Sequence, residues 1–165
     1  MAITPREKEL IAVGISVAAG CRPCTNYHIK KARIEGAGDV ELSGAIVEAI
    51  NVRYRAADTM KAHALGHVHM PTPGYITENI GKSNRLSEML AIGAAFGVNC
   101  VTTLEKHLAV AEERGITPAE IREIIKLGNL IKNRATAHAE KVFAPKEEVA
   151  CEREVAGWPT LVNEG

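Results

Sequence analysis

The stretch ELIAVGISVAAGCRPCTNYH, Glu9 to His28, decides how the chain folds. Its first half sets Leu10, Val13, Ile15 and Val17 among Gly14, Ala18 and Ala19. Those residues are apolar nearly all round, which predicts a helix buried on every side rather than on one stripe. Gly20 breaks that helix at about Ala19, and a second one is expected to follow at once, because Pro23 is tolerated in a first turn. A helix–turn–helix of this kind brings Glu9, Cys21, Cys24 and His28 towards one another. Cys21, Cys24 and His28 stand at i, i+3 and i+7 and share one helical face. Cys24 and His28, four residues apart, are close enough on that face to touch.

Upstream, Thr4-Pro5-Arg6-Glu7 reads as a helix start: Thr4 caps, Pro5 suits the first helical position, and Glu7 closes a capping box. Downstream, the second helix is expected to end at Gly36, and Asp39 opens a long third one with Leu42, Ile46, Ala49 and Ile50 at helical spacing. No stretch alternates like a strand, so the fold class is all-α. Residues 68–82, VHMPTPGYITENIGK, form an interior linker in which Pro71, Pro73 and Gly74 forbid a continuous helix.

After the linker the pattern returns. A shift of 79 places Glu9 on Glu88, Gly14 on Gly93, Cys21 on Cys100, His28 on His107 and Glu41 on Glu120 without a gap. Thr117-Pro118-Ala119-Glu120 is again a capping box with proline. The chain therefore reads as two tandem three-helix repeats around a shared core, in one helical domain. The first, redox-active repeat spans residues 1–67, the second, degenerate one 83–143, and a charged tail with Cys151 and Trp158 fills 144–165.

Composition bounds the function. A chain of 165 residues suits one domain with a sizeable core. Its 20 basic and 20 acidic residues leave no footprint for nucleic acid. With 46% hydrophobic but only 4% aromatic residues, the core must be built from Ala, Ile, Leu and Val, and its helices must approach closely. No apolar run reaches membrane-spanning length. The start MAITPREKEL lacks a signal peptide's basic and apolar regions, so a cytoplasmic protein is expected. In a reducing compartment, a close cysteine pair points to metal or redox chemistry rather than a structural framework.

The redox reading follows from the placement of the thiols. Both fall in the first turn of a helix, where unpaired N–H groups and the helix dipole favour thiolates, the nucleophilic form. A peroxide attacked by Cys24 leaves a sulfenic acid, which Cys21, one turn away, can resolve as a disulfide. Glu9 can orient His28 or pass protons to it.

A zinc half-site is the main rival, but zinc wants four ligands and no second Cys-x-x-Cys exists, so neither a metal nor a cofactor is expected. Haem attachment fails because Thr25, not His, follows Cys24, and a thioredoxin fold fails for want of any βαβ pattern. His63, His67 and His69 read as solvated imidazoles at a helix end. In the second repeat Thr103 stands where Cys24 does, so Cys100 and His107 read as a degenerate copy, and Cys151 as a free thiol.

Glu9, Cys21-Arg22-Pro23-Cys24, His28 and the following GAGDVELSGAIVEA resemble the alkylhydroperoxidase D (AhpD) and carboxymuconolactone decarboxylase superfamily, in particular its AhpD-like branch. The resemblance covers both repeats. It implies an all-α fold, a thiol-dependent peroxidase or disulfide reductase, and a homo-oligomer, two-repeat members often being trimers. It also implies roles: Cys24 attacks peroxide, Cys21 resolves, Glu9 and His28 relay protons, and a dithiol such as a lipoylated protein supplies electrons. AhpD itself carries its thiol pair in the second half, whereas here it lies in the first. A carboxymuconolactone decarboxylase-like enzyme, and a non-enzymatic metal-binding or scaffold protein, are the alternatives.

Overall fold

The computed structural model describes residues 2–66 and 84–143. The linker 68–82, the tail 144–165, His67, His69, Cys151 and Trp158 lie outside the described residues. Six helices appear in order: α1 (Pro5–Ala18), α2 (Arg22–Ile34), α3 (Asp39–Ala64), α4 (Arg85–Gly97), α5 (Val101–Ala111) and α6 (Pro118–Glu140). The described residues include no strand.

Local chemistry starts the helices where the sequence predicts. Glu7 donates its backbone N–H to Thr4 Oγ1 at 3.2 Å, and Thr4 returns its own N–H to the Glu7 carboxylate at 2.9 Å. Thr117 and Glu120 repeat the box on α6, at 3.3 and 2.8 Å. The ends are slightly shorter than expected: Ala19 caps α1, and α2 stops at Ile34, two residues before Gly36. On α3 the buried stripe is Leu42, Ala45, Ala49, Val52 and Ala56, while Ile46 and Ile50 are only half-buried. Small residues carry that stripe because α3 lies close against α1 and α4.

Helices α1 and α4 cross at the centre, and every other helix packs on one or both of them. Leu10 to Ser16 is buried without interruption, as is Glu88 to Ala95. Each fully buried Leu or Ile there contributes about 1.5–3 kcal/mol relative to an exposed one. The crossing needs glycine: a Cβ at Gly93 would stand 2.9 Å from Ile15 Cγ1.

The third helix of each triplet reaches across to the other. α3 packs on α4 and α5 as well as on α1, and α6 packs on α1 and α2 as well as on α4. α6 is thereby laid against the helix that carries the cysteine pair.

The elbow between α1 and α2 is held by Gly20, the breaker expected from the sequence, and by Arg53, which the sequence did not single out. Gly20 turns it with φ of 70°, and Asn99 takes the equivalent place with φ of 59°, the left-handed region open to Gly and, among others, to Asn. Arg53 donates through Nη1 to the carbonyls of Val17 and Ala18, at 2.9 and 3.0 Å, satisfying the end of α1. Lys132, the equivalent residue, donates to Phe96 O at 3.4 Å and to Asn99 Oδ1.

Candidate active site

Cys21 caps α2 with an extended backbone, so its sulfur sits at the helix mouth and accepts the Cys24 N–H at 3.2 Å. Cys21 and Cys24 are joined by a disulfide, with Cα atoms 5.3 Å apart. Both are buried, at 5% and 1% exposure, while Arg22 and Pro23 between them face solvent. The buried face of α2 runs Cys21, Cys24, His28, Ala32, as the i, i+3, i+7 spacing predicts.

His28, one turn beyond Cys24 on the same helix, is itself buried. Its Nδ1 stands 2.8 Å from Glu9 Oε2, across the α1–α2 interface. Glu9 is half-buried on α1, next to the continuous apolar run that begins at Leu10. A carboxylate bound to one ring nitrogen fixes the imidazole's orientation and leaves the other for proton exchange. The four residues singled out from sequence, Glu9, Cys21, Cys24 and His28, are thus gathered at one elbow.

A fifth residue was not foreseen. His138, in the last turn of α6, brings a ring nitrogen to the sulfurs: it and the two Sγ atoms all lie within 4.8 Å of one another. Burial lowers its pKa, with Lys141 and Arg134 adding to the shift, which favours the neutral imidazole. The repeat comparison could not find it, because the shift of 79 matches it to Thr59.

The second triplet has a similar polar pair without a second thiol beside it. His107 Nδ1 stands 2.6 Å from Glu88 Oε1, and Glu88 is buried. Cys100 Sγ meets Thr103 Oγ1 at 3.0 Å where a disulfide would otherwise form. Glu48 adds a carboxylate that has no counterpart in the first site, where the equivalent residue is Leu127. Burial raises its pKa; Arg55 and His107 offset part of the shift and Glu88 adds to it. An open cavity of about 560 Å³ lies beside Cys100, between the end of α1, α3 and the α4–α5 turn. His63 is exposed near the end of α3, as expected of a solvated imidazole.

A helical protein with a Cys-x-x-Cys at a helix N-terminus, and a carboxylate–imidazole pair joining that helix to α1, falls in the class of all-α thiol proteins. Residues 2–66 match the family model described as Carboxymuconolactone decarboxylase family, a span that takes in α1 to α3 and Glu9, Cys21, Cys24 and His28. No curated protein and no solved structure matches the chain. No helix of the described residues is long and apolar enough to cross a membrane.

Proposed function

We propose that the protein is a thiol-dependent peroxidase of the AhpD-like type, working through the Cys21–Cys24 couple. The observation that carries this reading is the Cys21–Cys24 disulfide at the mouth of α2 with the His28–Glu9 pair at 2.8 Å behind it. A thiol pair able to close and reopen, beside a group able to move protons, is what two-electron reduction of a peroxide needs.

In the reduced protein the N-terminal dipole of α2 favours a thiolate at Cys24. That thiolate attacks the peroxide; the O–O bond breaks, an alcohol leaves with a proton delivered through His28, and Cys24 becomes a sulfenic acid. The Cys21 thiolate then attacks the Cys24 sulfur and expels water. The sum is two thiols and one peroxide to one disulfide, one alcohol and one water. Glu9 holds His28 in place. An external dithiol, such as the dihydrolipoyl arm of a partner protein, restores the pair by thiol–disulfide exchange. The burial of both sulfurs favours small peroxides and a slender donor of this kind.

The protein is taken to work in the cytoplasm as a homo-oligomer, most simply a trimer. Val40, Val47 and Tyr54, spaced by seven along α3, expose apolar surface that suits such an assembly. The test of function is steady-state peroxide consumption with dihydrolipoamide as donor. Turnover by the natural chain and none by a folded Cys24→Ser variant is the expected result. Equal activity in the two would overturn the reading.

A further inference from the structure

The reduced site has the makings of a metal centre that the sequence conceals, because its third ligand comes from the other end of the chain. We propose that Cys21, Cys24 and His138 bind a thiophilic divalent cation, Zn²⁺ above all, when the cysteines are reduced, and release it when they are oxidised.

Geometry carries the proposal. The two Sγ atoms and a His138 ring nitrogen already lie mutually within 4.8 Å. In a tetrahedral site with Zn–S of about 2.3 Å and Zn–N of about 2.0–2.1 Å, ligand atoms stand about 3.5–3.8 Å apart. Opening the S–S bond lets the sulfurs separate to that spacing while the backbone keeps its Cα–Cα distance of 5.3 Å.

The ligands are mounted on rigid parts. Cys21 and Cys24 sit at the start of α2, and His138 is in the last turn of α6, which packs on α2. Two thiolates and an imidazole form a soft donor set that selects Zn²⁺ over Mg²⁺ or Ca²⁺. Two thiolate charges cancel those of the cation, and both cysteines are shielded from water. Half-buried His138 marks the solvent side, where a water or anion completes four-coordination.

Oxidation empties the site. Two metal-bound thiolates, one hydroperoxide and two protons give the disulfide, an alcohol, water and free Zn²⁺. The O–O bond breaks as the S–S bond forms, and both sulfurs lose the charge that held the cation. Any two-electron oxidant that closes the disulfide acts alike, so the metal site does not depend on peroxide being the physiological substrate.

The experiment uses the full chain carrying Cys100→Ser and Cys151→Ser, so that only the pair can supply thiolates. Reduced protein is titrated with Co²⁺, read by its thiolate-to-metal charge-transfer band, and then with Zn²⁺ against a chromophoric chelator. The expected result is one metal ion per chain in the reduced protein and none in the oxidised protein. An equivalent of hydrogen peroxide should release the bound zinc. His138→Ala should weaken zinc binding by about tenfold or more, on the scale seen even for the outer partners of metal ligands. His138→Cys should restore binding by replacing one good zinc ligand with another. The proposal is overturned if reduced protein takes up no metal, if oxidised protein retains it, or if His138→Ala binds zinc as tightly as the natural residue while folded. A failed peroxidase assay together with intact zinc binding would sink the functional reading and leave this one standing.

Discussion

Adding a single methyl group at Gly93 tests the helix crossing on which the site is built. A Cβ there would lie 2.9 Å from Ile15 Cγ1 and 3.2 Å from both Ile11 Cγ2 and Ile15 Cδ1. Ile15 cannot swing away easily: it is fully buried, and a β-branched chain in a helix has one strongly preferred rotamer. Overpacking of this kind costs about 1–3 kcal/mol. Replacing glycine by alanine inside a helix returns about 0.8–1 kcal/mol. The net expectation for Gly93→Ala is a loss of about 1 kcal/mol. Gly14, its partner in the repeat, provides the control. There the nearest atom is Leu90 Cδ2 at 3.2 Å, the movable end of a flexible chain, and the next contacts are at 3.9 and 4.0 Å. Gly14→Ala should therefore keep most of the helical gain and be neutral or stabilising. The assay is urea unfolding followed by circular dichroism, at one protein concentration and with the disulfide closed. In a chain of this size each kcal/mol also moves Tm by about 2–4 °C. If Gly93→Ala proves as stable as Gly14→Ala, the close approach of α1 and α4 is not what limits this crossing.

Other expectations follow from the same geometry. Glu9→Gln and His28→Ala should each slow disulfide formation by peroxide about a hundredfold to ten-thousandfold while the chain stays folded, read by stopped-flow thiol loss. Glu7 and Glu120 are pushed up by burial, but their Thr4 and Thr117 caps and Arg85 outweigh this and hold both below 4.5. The stability they contribute is full above pH 4.5 and is lost as pH falls through their folded values, so Arg85→Met should lower the urea midpoint at neutral pH but not in strong acid. Glu48 has the opposite sign: its raised folded pKa means that its charge costs stability once ionised. Glu48→Gln should therefore stabilise the protein at neutral pH, with the gain vanishing below pH 4.5. Cys100→Ser should leave peroxide turnover nearly unchanged, whereas Thr103→Cys, built 3.0 Å from Cys100 Sγ, should create a second disulfide detectable by mass spectrometry.

Some of this was legible in the sequence because it is local. The continuous apolar run from Leu10, the Thr4 and Thr117 boxes and Asp39 predicted where α1, α3 and α6 begin. The spacing of Cys21, Cys24 and His28 predicted a shared face because three residues on one helix keep their angles whatever lies around them. Glu9 was legible as an ionisable residue beside an apolar run, echoed at Glu88. The rest depends on how helices cross. His138 reaches the sulfurs only because α6 packs on α2, and Glu48 is near Glu88 and His107 only because α3 packs on α4 and α5. Neither has a counterpart under the internal repeat, so no periodicity could reveal them. Arg53 and Lys132 were passed over for a similar reason: each looks like a solvated charge until its bonds to the end of α1 or α4 are seen.

The central claim is that Cys21 and Cys24 are a couple that takes two electrons to a peroxide. Mixing reduced protein with one equivalent of hydrogen peroxide, quenching rapidly with a thiol-alkylating reagent and mapping the peptides by mass spectrometry tests it directly. The account predicts that Cys21 and Cys24 are lost together as one intrachain disulfide per peroxide consumed, with Cys100 alkylated throughout. It also predicts that Cys21→Ser stops at a sulfenic acid on Cys24. A disulfide joining Cys24 to Cys100 or Cys151, or peroxide left unconsumed by the fully reduced protein, would contradict it.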